Sequence, residues 1–132
     1  MPSIFTRIIN REIPCYKIAE DENFFAFLDT SPLAKGHTLV VPKKEEDYIF
    51  DLDKATYSAL FAFAQKVAKA IGAAIPCKRV GIAVIGLEVP HAHIHLIPLH
   101  TGTINFSEQK LKLEQAELQA IAAAIQSKLQ QV

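Results

Sequence analysis

Cysteine occurs only at Cys15 and Cys77 in this chain of 132 residues, and no stretch approaches the roughly 20 consecutive apolar residues of a membrane-spanning helix. So few thiols, far apart, exclude a disulfide framework and lead to the expectation of reduced thiols in a cytoplasmic protein. An excess of charge of either sign is missing too: 14 basic side chains face 14 acidic ones, with a pI near 7.0. Long-range attraction to nucleic acid or to an anionic membrane is not expected, so a phosphate-bearing ligand must be held by local groups. The N-terminus, MPSIFTRIINREIPCY, does not read as a signal peptide, because Arg7, Asn10, Arg11 and Glu12 interrupt its apolar residues. Repeats, linkers and low-complexity tracts are also lacking. The expectation is one domain over residues 1–132, burying roughly two-thirds of its unfolded surface around a single core.

What is present is periodic. Ser3 can cap a short helix in which Ile4, Phe5, Ile8 and Ile9 share a face, ended by Ile13 and Pro14. The period then changes to two. Residues 16–19 and 24–28, separated by EDEN, read as a hairpin, and residues 37–41, between Gly36 and Pro42, as a third strand. Leu60, Phe61, Ala64, Val67, Ala68 and Ile71 then recur at helical spacing, from a cap at Asp51 or Asp53 to about Ile75. Residues 80–85 and 92–99 are β-rich, and the Ala-, Glu- and Gln-rich stretch 111–129 predicts a final helix. The order of elements implies an α+β fold, an antiparallel sheet of five strands carrying the long helix on one face.

Residues 89–98, VPHAHIHLIP, place His91, His93 and His95 at every second position. On a strand they would share one face, about 6.6–6.8 Å apart, with Ala92, Ile94 and Leu96 turned to the core. Such a row has three readings. It is a polar sheet face in water, or a metal site with three imidazole ligands and an open position, or a metal-free acid and base pair working on phosphorus. Imidazole suits the third because it titrates near neutrality, so one ring can attack while its neighbour donates to phosphate or leaving group.

The segment HAHIHLI resembles the signature of the histidine-triad superfamily of nucleotidyl hydrolases and transferases: three alternating histidines followed by two apolar residues. IFTRIINREIP, EDENFFAFLDTSPLAKGHTLVVPKK and the triad follow in the family's order, so the resemblance covers about residues 4–99 and is nearest to the Hint-like branch. It implies the fold of that family and a metal-free double displacement with no cofactor. In that mechanism His93 attacks the α-phosphorus of a purine nucleotide and carries the nucleotidyl group. His95 would hydrogen-bond the phosphate and leaving group, His91 would support His93, and His37 would stand behind the triad. The resemblance further implies an apolar slot for the base at Phe5, Ile8, Ile13 and Phe27, with Asp29 accepting from the ribose hydroxyls. From the residues alone, Phe5, Ile8 and Phe27 read as core, Asp29 as a turn residue and His37 as a buried structural histidine.

The chain departs from the family in two places. Relatives bind a structural zinc through two N-terminal cysteines and a histidine after the PKK, together with the first triad histidine. Ser3, Thr6 and Glu45 stand there instead, so no zinc is expected. Before the triad, relatives place Gly-Gln-Ser or Gly-Gln-Thr against the phosphate, where this chain has Gly86, Leu87, Glu88, Val89 and Pro90. Leu87 donates nothing, and an ionised Glu88 repels phosphate. Either backbone N–H groups near Val89 hold the phosphate, or Glu88 turns away, or Glu88 receives an amine leaving group. The expected substrate is a phosphoramidate or acyl-phosphate of a purine nucleoside monophosphate. The alternatives are a dinucleotide polyphosphate, or a nucleotide-binding adaptor with weak catalysis. A homodimer is also expected. In it the long helix and the strand before GLEVPH meet across a two-fold, because Tyr57, Ala59, Phe63 and Ala70 carry apolar or small side chains outside the core stripe.

Overall fold

A computed structural model describes residues 2–107 and 109–129. The elements run α1 (Ile4–Ile9), β1 (Lys17–Glu20), β2 (Phe24–Leu28), β3 (Thr38–Pro42), a short 3-10 turn (Ile49–Asp51), α2 (Lys54–Ala74), β4 (Arg79–Ala83), β5 (Ile94–Leu99) and α3 (Gln115–Leu129). The five strands form one antiparallel sheet in the order β1-β2-β3-β5-β4. This is the expected α+β architecture, with one long helix and shorter helices near either end.

Period-two alternation divides the central strands between two apolar clusters. Phe24, Ala26, Leu28, Val40, Ala92, Ile94 and Leu96 pack with Leu60, Val67 and Ile71 of α2 and Ile121 and Ile125 of α3. Phe25, Phe27, Leu39 and Val41 pack on the opposite face with Phe5 and Ile8 of α1. Both caps expected from sequence form: Ser3 Oγ accepts from the Thr6 N–H at 3.0 Å, and Asp53 Oδ2 accepts from the Thr56 N–H at 3.1 Å. Ala70, expected off the stripe of α2, is fully buried in it.

Several boundaries differ from the sequence reading, those of β5, β4 and α3 among them. β5 begins at Ile94 rather than Ala92, since the Ala92 N–H donates to Glu46 O at 2.7 Å and the His91 N–H to Val89 O at 2.8 Å, a turn rather than a ladder. Only His95 of the triad therefore lies within the strand. β4 ends at Ala83, short of residue 85, at the turn carrying Gly86 with φ +75°. Finally α3 begins at Gln115, and the Leu111 N–H donates to Pro32 O at 2.8 Å, holding the residues before the helix against the loop after β2.

Candidate active site

Each histidine ring sits in a hydrogen-bond environment that decides which nitrogen carries its proton. A carbonyl only accepts, so the 2.8 Å contact between His93 Nδ1 and the carbonyl of His91 places a proton on Nδ1 and leaves the lone pair of His93 on Nε2. His37 is fixed the opposite way: the Leu33 N–H donates to its Nδ1 at 3.1 Å, so its proton lies on Nε2, 3.0 Å from His95 Nδ1. His95 Nδ1 is then an acceptor and His95 Nε2 carries the proton. Two neighbouring rings, 4.9 Å apart between centroids, thus present opposite faces of the same chemistry, a free lone pair on His93 and an N–H on His95.

Burial keeps the supporting rings neutral. Desolvation, with the nearby His95 and Lys110, pushes His37 down to about 3, and desolvation with His93 and Lys110 pushes His95 down to about 4. His37 is 1% exposed and His91 is fully buried. His37 Nε2 lies 3.7 Å from Asp29 Oδ2, and since the ring is neutral this is proximity rather than an ion pair. Asp29 itself is raised by burial, opposed by the Ser31 N–H and by Lys110, and raised further by Glu88.

His91 is held from both sides. Its Nε2–H donates to the Pro42 carbonyl at 2.7 Å, so its Nδ1 is an acceptor, and Ser3 Oγ–H donates to it at 2.6 Å. Glu45 Oε1 takes the Ser3 N–H and the Thr6 hydroxyl, each at 2.7 Å. The residues standing where relatives carry zinc ligands therefore hydrogen-bond one another and His91, and so join the start of α1 to the triad turn.

A cavity of about 230 Å³ opens over His93 and His95, lined also by Asp29, His37, Glu88 and Lys110. Of the eleven residues singled out from sequence, the structure brings five together here: Asp29, His37, Glu88, His93 and His95. His91 lies behind them. Phe5, Ile8 and Phe27 are packed in the α1-side cluster at 6%, 8% and 4% exposure, with Ile13 and Val89 against it. Phe5 reaches the site by its edge, 4.9 Å from the His93 ring. Ile8 and Ile13 line a separate recess with Arg11, Cys15 and Phe25. Asp29, His37 and His95 offer donor atoms within 4.8 Å of one another, a geometry a cation can use. Two of those atoms, however, are hydrogen-bonded to each other, so a cation would have to break the pair that sets the His95 tautomer.

Phe106 and Lys110 were not identified from sequence. They sit in a polar stretch, NFSEQKLK, without helical or strand period, and the one available signal was a lone phenylalanine in a hydrophilic loop.

The family described as the HIT domain matches residues 10–102. An uncharacterised HIT-like protein of Borreliella burgdorferi is 36% identical over 72% of this chain and 73% of its own. The adenosine 5'-monophosphoramidase hnt1 of Schizosaccharomyces pombe is 36% identical over 74% of each chain. Among solved structures, a HIT-like protein of Bartonella henselae, described as involved in cell-cycle regulation, superposes with a TM-score of 0.83 at 32% identity. That likeness covers 95% of this chain and 94% of the other.

Proposed function

The chain belongs to the HIT domain family, and from that footing we propose that it hydrolyses or transfers at the α-phosphorus of a purine nucleoside monophosphate derivative, by way of a covalent nucleotidyl-His93. The observation that carries this reading is the tautomer pair, His93 with its Nε2 lone pair free beside His95 with its Nε2 protonated. His93 Nε2 forms the bond to phosphorus as the bond to the leaving group breaks. The His91 carbonyl, already accepting from His93 Nδ1–H, stabilises the charge that develops on the ring. His95 Nε2–H donates a hydrogen bond to the leaving atom or a phosphate oxygen. Water then displaces His93 from phosphorus and releases the nucleoside monophosphate.

A phosphoramidate or acyl-phosphate is the favoured substrate, and the monophosphoramidase among the relatives supports the former. Asp29 lines the cavity, where a ribose diol can donate to it. The test is incubation with adenosine phosphoramidate and, separately, with a diadenosine polyphosphate. AMP release from the first that requires His93 supports the reading. Release from the second alone favours a dinucleotide polyphosphate hydrolase, and release from neither, with AMP still bound, an adaptor. That last outcome has a specific basis in Glu88 and the 89%-exposed Leu87 at the phosphate end. The same reading includes a cytoplasmic homodimer built on the β4 side of the sheet.

A further inference from the structure

The phosphate end of the cavity has the wrong charge for its proposed ligand unless something outside the triad corrects it. The cavity is lined by two carboxylates, Asp29 and Glu88, while His37 and His95 are held neutral by burial. Among the described residues lining the cavity, only Lys110 carries a fixed positive charge. It reaches the site from the segment after β5. The Leu111 N–H pins that segment to Pro32 O at 2.8 Å, and the Phe106 and His95 rings meet in a T-shaped contact with centroids 4.8 Å apart. Among the described residues Lys110 Nζ donates one hydrogen bond, to Phe106 O at 2.8 Å, and an ammonium has three hydrogens to donate.

We propose that Lys110 is the phosphate-binding cation of this site, and that Phe106 positions it by packing on His95. Resting on the nucleotide reading above, this names what replaces the donors missing at Leu87 and Glu88: an ammonium from the segment after β5 rather than side chains of the turn before the triad. An ammonium suits a monoanionic or dianionic phosphate because it adds both charge and N–H donors, and Lys110 also draws Asp29 towards its ionised form. Glu88, facing the same ligand, opposes it, so the two side chains set phosphate affinity between them.

The experiment measures AMP and adenosine affinity calorimetrically on the wild type, Lys110→Met, Lys110→Arg, Phe106→Ala and Glu88→Gln. Lys110→Met is expected to weaken AMP about tenfold while adenosine binding stays within about twofold, and to flatten the salt dependence of AMP binding. Lys110→Arg should recover most of the loss, Phe106→Ala should show a smaller loss confined to AMP, and Glu88→Gln should tighten AMP by a few fold. Wild-type AMP binding that Lys110→Met leaves unchanged overturns the role of Lys110 alone, and so does an equal loss of AMP and adenosine. A wild type that binds no AMP overturns the nucleotide reading, and this inference falls with it.

Discussion

The chemistry of the site rests on single hydrogen bonds that choose a tautomer. In the proposed mechanism, deleting the His93 ring removes the nucleophile and leaves the rest of the cavity lining in place. His93→Ala is therefore expected to lower turnover of adenosine phosphoramidate by several orders of magnitude while AMP still binds, read by steady-state rates beside calorimetry. A variant that keeps wild-type turnover would show that another group attacks. The buried rings also set a pH dependence of stability. His37 and His95 fall from about 6.5 in the unfolded chain to about 3 and about 4 in the fold. The unfolded state thus takes up protons first, and stability, full above about pH 6.5, drops as pH falls through the window down to about 4 and below. The thermal midpoint should fall from pH 7 to pH 4.5, and by less in His37→Gln. Equal losses in both proteins would mean that His37 does not contribute. Much of this site was legible in the spacing of His91, His93 and His95, because alternation alone puts them on one side of the chain. What spacing could not show was the Leu33 N–H on His37, or Lys110, since both depend on loops whose path is decided by tertiary contacts.

At the scale of elements, period and capping residues identified every helix and strand, whereas the ends were decided elsewhere. The strand expected from Ala92 starts late because Glu46 O takes an N–H that a ladder would have used, and the helix expected from Leu111 starts at Gln115, after a segment tied to the loop beyond β2 by the Leu111 N–H on Pro32 O. Gly36 shows a boundary under the reverse constraint. It has φ +94°, and a Cβ there would lie 3.0 Å from Ile75 Cγ1 and 3.3 Å from a Pro98 ring carbon. The residue that delivers His37 to the start of β3 is therefore crowded by the Ile75 and Pro98 side chains and sits in a backbone region that side chains disfavour. Gly36→Ala should destabilise the protein by about 1–3 kcal/mol in urea unfolding and reduce turnover through His37. At the other side of the triad, Ser3 both caps α1 and donates to His91. Ser3→Ala should cost about 1 kcal/mol or somewhat more, and should lower kcat more than AMP affinity, because it loosens the turn that holds His93. A loss of stability with kcat unchanged would reduce Ser3 to a helix cap.

Across the whole molecule, the sheet is unevenly protected. β1 at one end is covered by α3, whose Gln126 side chain donates to Lys17 O, whereas at the other end Ile82 of β4 is 53% exposed and Ile85, in the turn after it, 51%. An apolar edge strand with a free hydrogen-bonding row invites a second copy, which would extend the sheet through a two-fold. Beside it the rings of Tyr48, Phe50, Tyr57 and Phe61 form a chain of contacts, with Phe50 at 66% exposure, over a recess of about 400 Å³. That recess and the cavity over His93 and His95 share Ile85, Gly86 and Leu87 as a common wall. A partner seated against β4 would therefore bear on the turn that carries Glu88 into the cavity lining, so assembly and ligand affinity should move together. Light scattering at micromolar concentration is expected to give twice the chain mass of 14.6 kDa. Ile82→Lys, which places a charge on the exposed edge, should return the monomer mass and raise KM for adenosine phosphoramidate more than it lowers kcat. A wild type already at 14.6 kDa would remove the dimer. A monomeric Ile82→Lys protein with unchanged KM would keep the dimer but cut its link to the active-site turn.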